Sequence, residues 1–87
     1  MNLYCLYDKI AKFYEPPLAF ASDEEAARTL ARYALTVKSQ LISLLTFDLY
    51  LIGSFNPDTG GLDEFVPQQI DNFNFYLKKG LENAEKK

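Results

Sequence analysis

The 87 residues read as a small two-layer α+β domain: an antiparallel sheet of about four strands, in the order β-β-α-β-β, packed on one long helix, with a further helix at the carboxyl end. Three features carry that reading. Apolar and aromatic residues alternate near the amino terminus and again at residues 49–55, a capped helix opens at Ser22, and turn chemistry fills residues 56–61.

In the first strand Leu3, Cys5 and Tyr7 fall on one face, and Tyr4 and Leu6 on the other. Pro16 and Pro17 then punctuate the chain, and residues 18–21 form a second, brief strand that stops at Ser22. Ser22 is a good helix N-cap. Glu25, three residues on, can reach back to the Ser22 amide as a capping box, and Asp23, Glu24 and Glu25 face the positive end of the helix dipole. Ala26, Leu30, Tyr33, Ala34, Val37 and Leu41 recur at three- and four-residue spacing as the buried stripe, with Glu24, Arg28 and Arg32 on a wetter face. The helix is expected to end around Leu44 or Leu45.

Residues 46–54 and 62–66 form the strands of a hairpin. Pro57 presets φ between them, and Gly60 or Gly61 takes the positive φ that the reversal needs. After Pro67 two periods compete. Phe73, Phe75 and Leu77 alternate as in a strand, whereas Ile70, Phe73, Leu77, Leu81 and Ala84 fit a helical stripe. The helix is favoured, because Pro67 suits a first turn and Lys78, Lys79, Glu82 and Glu85 make a solvated face; Gly80 is its weak point, costing ~1 kcal/mol against Ala.

A chain of this length makes one domain, residues 1–87, with 66–87 as the terminal helix or tail. Hydrophobic residues make up 48% of it, and seven Phe and six Tyr are more rings than one small core hides, so a homodimer is expected, helped by an unpaired strand edge. Cys5 is the single cysteine and there is no histidine, which removes a disulfide framework and a structural zinc site and fits a reducing compartment. No signal-peptide pattern and no run near the ~20 apolar residues of a membrane span is seen, so the expectation is a soluble intracellular protein.

The net charge of −3 argues against coating nucleic acid by overall electrostatics, and any DNA site must be local. Lys9, Lys12, Arg28, Arg32 and Lys38 lie in the first half, while residues 48–64 carry four acids and no base. Those acids, with Asp8, could be imagined as paired carboxylates, but no nucleophile or base supports them and they read as solvated caps. Cys5 reads as a small core residue, and Gly60-Gly61 lacks the Lys-Ser/Thr and following helix of a phosphate loop. No cofactor, metal or enzymatic activity is expected. The constellation with a functional reading is aromatic and basic. Tyr4, Tyr7, Lys9, Lys12, Phe13 and Tyr14, with Arg28 and Arg32 on the helix, supply rings for stacking bases and cations for a single-stranded backbone. From these, Lys9, Lys12, Tyr14, Arg28 and Arg32 are the candidate nucleic-acid-binding residues.

Three blocks stand in one order: Leu3, Tyr4, Tyr7 and Asp8; Pro17, Phe20, Ala21, Ser22, Asp23, Ala26 and Arg28; and Tyr50, Leu51, Gly53, Phe55, Pro57, Thr59 and Gly60. Together they resemble the small non-structural protein of gokushovirus-type microviruses, phages with circular single-stranded DNA genomes, whose setting implies the host cytoplasm. Asn56 stands where that pattern often has an acid, and the Lys-rich segment after Pro67 has no counterpart in it. The resemblance implies a non-enzymatic phage accessory protein that associates with single-stranded DNA, or with the replication and packaging complex, during genome synthesis. The alternative is an acidic, dimeric protein-interaction module that contacts a capsid, scaffold or host protein without binding DNA. The first reading needs Lys9, Lys12, Arg28 and Arg32 to converge on one face.

Overall fold

A computed structural model describes residues 1–37 and 46–85. Within them the elements run β1 (Asn2–Asp8), β2 (Phe13–Tyr14), β3 (Leu18–Phe20), α1 (Asp23–Val37), β4 (Phe47–Phe55), β5 (Leu62–Gln69) and α2 (Asp71–Glu85). The fold is the expected α+β arrangement, with one strand more than the four anticipated. All strand pairings are antiparallel. β4 flanks β1 on one side, β2 and β3 share its other side end to end, and β5 lies outside β4 as an edge.

The alternation in β1 sets the two faces of the sheet. Tyr4 and Leu6 are buried and join Phe47 and Leu49 of β4 in a core closed by Ala26, Leu30, Phe73 and Leu77 of the helices. Tyr4, Leu49, Phe73 and Leu77 are fully buried, each worth about 1.5–3 kcal/mol of burial. The Tyr4 hydroxyl donates to the Asp23 carboxylate and accepts from Asn2 Nδ2 at 3.2 Å, which ties β1 to the first turn of α1.

Ser22 caps α1: its Oγ accepts the Glu25 amide at 3.2 Å. The Glu25 carboxylate reaches back one residue further than expected, accepting the Ala21 amide at 3.2 Å. Ala26, Leu30 and Ala34 are buried as anticipated, together with Ala27 and Ala31. Those two alanines shift the centre of the stripe, so Tyr33 lies on its flank and is 47% exposed rather than buried. Leu41 and the expected helix end at Leu44 or Leu45 lie outside the described residues.

The hairpin turn closes where its chemistry placed it. The Asn56 amide donates to the Gly61 carbonyl at 2.9 Å, the Gly60 amide to the Asn56 carbonyl at 2.8 Å, and Asn56 Oδ1 accepts the Asp58 amide at 2.9 Å. Gly60, at φ 74°, is the residue that takes the left-handed conformation. On β4, Gly53 lets the strands close up, since a Cβ there would run into the Asp63 carbonyl oxygen.

Pro67 does not open the last helix. It lies inside β5, which continues to Gln69, and α2 starts at Asp71. An edge strand tolerates a proline because the missing N–H has no ladder partner to lose. The pairing also slips there. Leu51 faces Gln68 and Gly53 faces Glu64, so Phe65, Val66 and Pro67 stand opposite the single residue Ile52 and bulge outward. α2 then packs against α1, with Gly80 giving room for the Leu35 side chain that a Cβ would meet.

Candidate nucleic-acid interface

Asp8 organises one end of the sheet. Its Oδ1 accepts the Ile10 and Ala11 amides, each at 3.0 Å, and its carbonyl accepts the Lys12 amide at 2.7 Å. Lys12 sits at φ 60°, a conformation that L-residues adopt at some cost and that turns the chain back into β2. β2 escapes a period-2 reading because it is two residues long. The turn therefore carries Lys9 and Lys12 next to the cross-strand pair Asp8–Phe13, one pair away from Tyr7–Tyr14.

Tyr7 and Tyr14 are directly opposed and so share a face, the one opposite Tyr4 and Leu6. Tyr50 joins them from β4, where it pairs with Cys5. The ring centroids lie 4.7 Å apart for Tyr7–Tyr14, 5.7 Å for Tyr14–Tyr50 and 6.1 Å for Tyr7–Tyr50, so three strands contribute to one tyrosine cluster. Tyr14 is the most open, 47% exposed. Partial burial, then the charge of Asp48, then the neighbouring rings push the Tyr50 phenol above its ordinary range. Beside the cluster the buried Asp48 carboxylate pairs with Lys9 Nζ at 3.5 Å and accepts Asn74 Nδ2 at 3.0 Å, which fixes Lys9 next to the rings.

Of the five candidate residues, Lys9, Lys12 and Tyr14 are thus brought together. Arg28 and Arg32 belong to the helical layer that covers the other face. Arg28 bonds Glu24 at 3.0 Å and lies 5.9 Å over the Tyr76 ring, while the Tyr76 hydroxyl also donates to Glu24. Tyr76, and then Arg28, hold the Glu24 carboxyl below the usual range. Arg32 is exposed one turn further along α1. Tyr4, which belonged to the aromatic group by sequence proximity, is a core residue. Tyr50 was missed, since its membership depends on the β1–β4 register; its alternation with Leu49 and Leu51 was the available signal.

The other candidate chemistries find simple structural roles. Burial pushes the Cys5 thiol up. Among the described residues, no cluster of three or more His, Cys, Asp or Glu is arranged to hold a metal, and no helix is long and apolar enough to cross a membrane.

No curated protein and no solved structure matches the chain. A family model does, over residues 1–75, which takes in the whole sheet, α1 and the tyrosine cluster and stops within α2. That model is the one for the phage ORF5 protein, and the chain belongs to this family of phage proteins.

Proposed function

We propose that this phage protein is a non-enzymatic accessory protein of a gokushovirus-type microvirus that associates with single-stranded DNA in the host cytoplasm during genome synthesis or packaging. The observation that carries the reading is the cluster of Tyr7, Tyr14 and Tyr50 on the sheet face opposite the helices, with Lys9 and Lys12 at its end. Sheet-borne rings stack bases without regard to sequence, at ~1–3 kcal/mol each, and two lysines follow the backbone. Arg28 and Arg32 lie on the helical layer and do not converge with Lys9 and Lys12 as this reading required, and Lys9 is already paired with Asp48, so the electrostatic share is modest and the reading rests on the rings.

The test is a salt titration of binding to a fluorescent single-stranded oligonucleotide. Lys9→Ala with Lys12→Ala should reduce the slope of log affinity against log salt by up to roughly 1.4, about 0.7 per phosphate contact. Tyr14→Ala should weaken binding at every salt concentration. Arg28→Ala should leave the slope unchanged, because its guanidinium is committed to Glu24 and Tyr76. Wild-type affinity that does not fall as salt rises would remove the phosphate contacts and with them this reading.

A second observation favours the protein-interaction alternative. Every residue of β5 is exposed, and Leu62 and Val66 are 62% and 84% exposed. Side chains presented in this way suit a protein partner or a second copy. Light scattering that returns twice the 10.0 kDa chain mass, and reverts to a single chain on Val66→Lys, would support a homodimer through this surface.

A further inference from the structure

A carboxylate stands beside the tyrosine cluster, where a nucleic-acid backbone would meet it. Asp48 lies directly opposite Tyr7 in the β1–β4 register and so shares the face of the rings, and its side chain is 11% exposed against 46% for the Lys9 it pairs with. We propose that Asp48 is a built-in competitor for phosphate: it occupies Lys9 in the free protein, limits the hold of this surface on any polyanion, and leaves the choice of ligand to the rings. The inference rests on the single-stranded DNA reading above.

Three observations support it. Both partners are held in place. The Lys9 amide donates to the Thr46 carbonyl at 2.9 Å, and Asn74 Nδ2 of α2 donates at 3.0 Å to Asp48 Oδ1, the same oxygen that faces Lys9 Nζ at 3.5 Å. Asn74 is committed to that contact. Its own Oδ1 is buried with no donor reaching it among the described residues, and turning the amide over would set that oxygen against the carboxylate. Finally, the pair is unevenly enclosed. Phosphate can reach the open Lys9 end, but taking it leaves a poorly solvated carboxylate with Asn74 alone, which opposes the exchange. Lys12, in the same turn, makes no ion pair among the described residues and carries no such restraint. Stacked bases supply the binding free energy that offsets the exchange at Lys9, and a polyanion without bases lacks it.

The experiment titrates the full-length chain with a fluorescent single-stranded oligonucleotide and with inorganic polyphosphate, each at several salt concentrations. Asp48→Asn keeps the side-chain shape and an oxygen acceptor for Asn74. It should tighten binding of both ligands by up to about fivefold, the release of one partly exposed ion pair, and steepen the slope of log affinity against log salt by up to roughly 0.7. Combined with Lys9→Ala, the same substitution should leave the slope where Lys9→Ala alone puts it. Asp63→Asn removes an equal charge from the far β5 edge and should change neither quantity. Should Asp48→Asn fail to fold, the single lysine variants decide: Lys9→Ala should flatten the slope by less than Lys12→Ala. An unchanged slope in Asp48→Asn, an equal gain in the Lys9→Ala background, or equal flattening by the two lysine variants overturns the inference while the tyrosine reading stands. A Lys9-dependent gain for polyphosphate without oligonucleotide binding by any variant would support the hold of Asp48 on Lys9 and overturn the tyrosine cluster as a DNA platform.

Discussion

Removing the Tyr4 hydroxyl while keeping its ring tests how β1 is fastened to α1. Burial, and next the hydrogen bond to Asp23, push the phenol from 10.0 up to about 12. In the unfolded chain the phenol ionises near 10. Its contribution to stability is therefore complete below pH 10 and is lost as pH rises from 10 to 12, because only the unfolded state releases the proton in that window. Two pK units at ~1.4 kcal/mol each come to ~2.7 kcal/mol. Tyr4→Phe should lower stability at neutral pH by only about 1 kcal/mol, since Asp23 is exposed and water replaces the lost donor. Above pH 10 the variant should lose less than the parent, cross it, and end as the more stable protein. Cys5 and Tyr50, also raised, are present in both proteins and cancel in the difference. Urea unfolding in half-unit steps from about pH 8 to about pH 11.5 reads this directly. A stability difference that stays constant across that range would refute the reasoning.

Ser22→Ala should cost on the order of 1 kcal/mol, seen as a lower thermal midpoint, because the Glu25 amide loses its acceptor; coincident melts would mean the cap is not needed. Gly60→Val should destabilise by about 1–2 kcal/mol and Gly61→Val by less, since only Gly60 holds a positive φ; equal losses in urea titrations would contradict the turn geometry. Gly53→Ala should cost about 1–3 kcal/mol, because the new methyl meets a backbone carbonyl that cannot rotate away, and unchanged unfolding would show that β4 and β5 are less tightly joined.

What could be read from the sequence was local. The Ser22 cap, the 56–61 turn and the two faces of β1 each depend on residues within a few positions of one another, and each was found where expected. Features fixed by distant partners were not legible. Pro67 carried a sound first-turn signal, but β4 offered it an edge position whose open side needs no donor. Tyr33 matched the helical period, and only the packing of Ala27 and Ala31 moved it to the flank. Lys9, Lys12 and Tyr14 gather because one short hairpin holds them, whereas Arg28 was drawn away by Tyr76, 48 positions later in the chain. Tyr50 entered the cluster through strand register, which single-sequence periodicity does not contain.

The outward excursion at Phe65–Pro67 also bears on the fate of the protein at high concentration. A sheet whose last strand is exposed along its whole length would ordinarily template its own extension, copy upon copy, into a cross-β fibre. Three residues against one break the regular spacing of the free amides, Pro67 deletes a donor, and Asp63 and Glu64 add like charges to any stacked neighbour. Backbone pairing is interrupted at the middle of the edge while the side chains of Phe65 and Val66 stay on offer. Any association through β5 is thereby confined to side-chain contacts, and the edge is a poor template for a growing fibre.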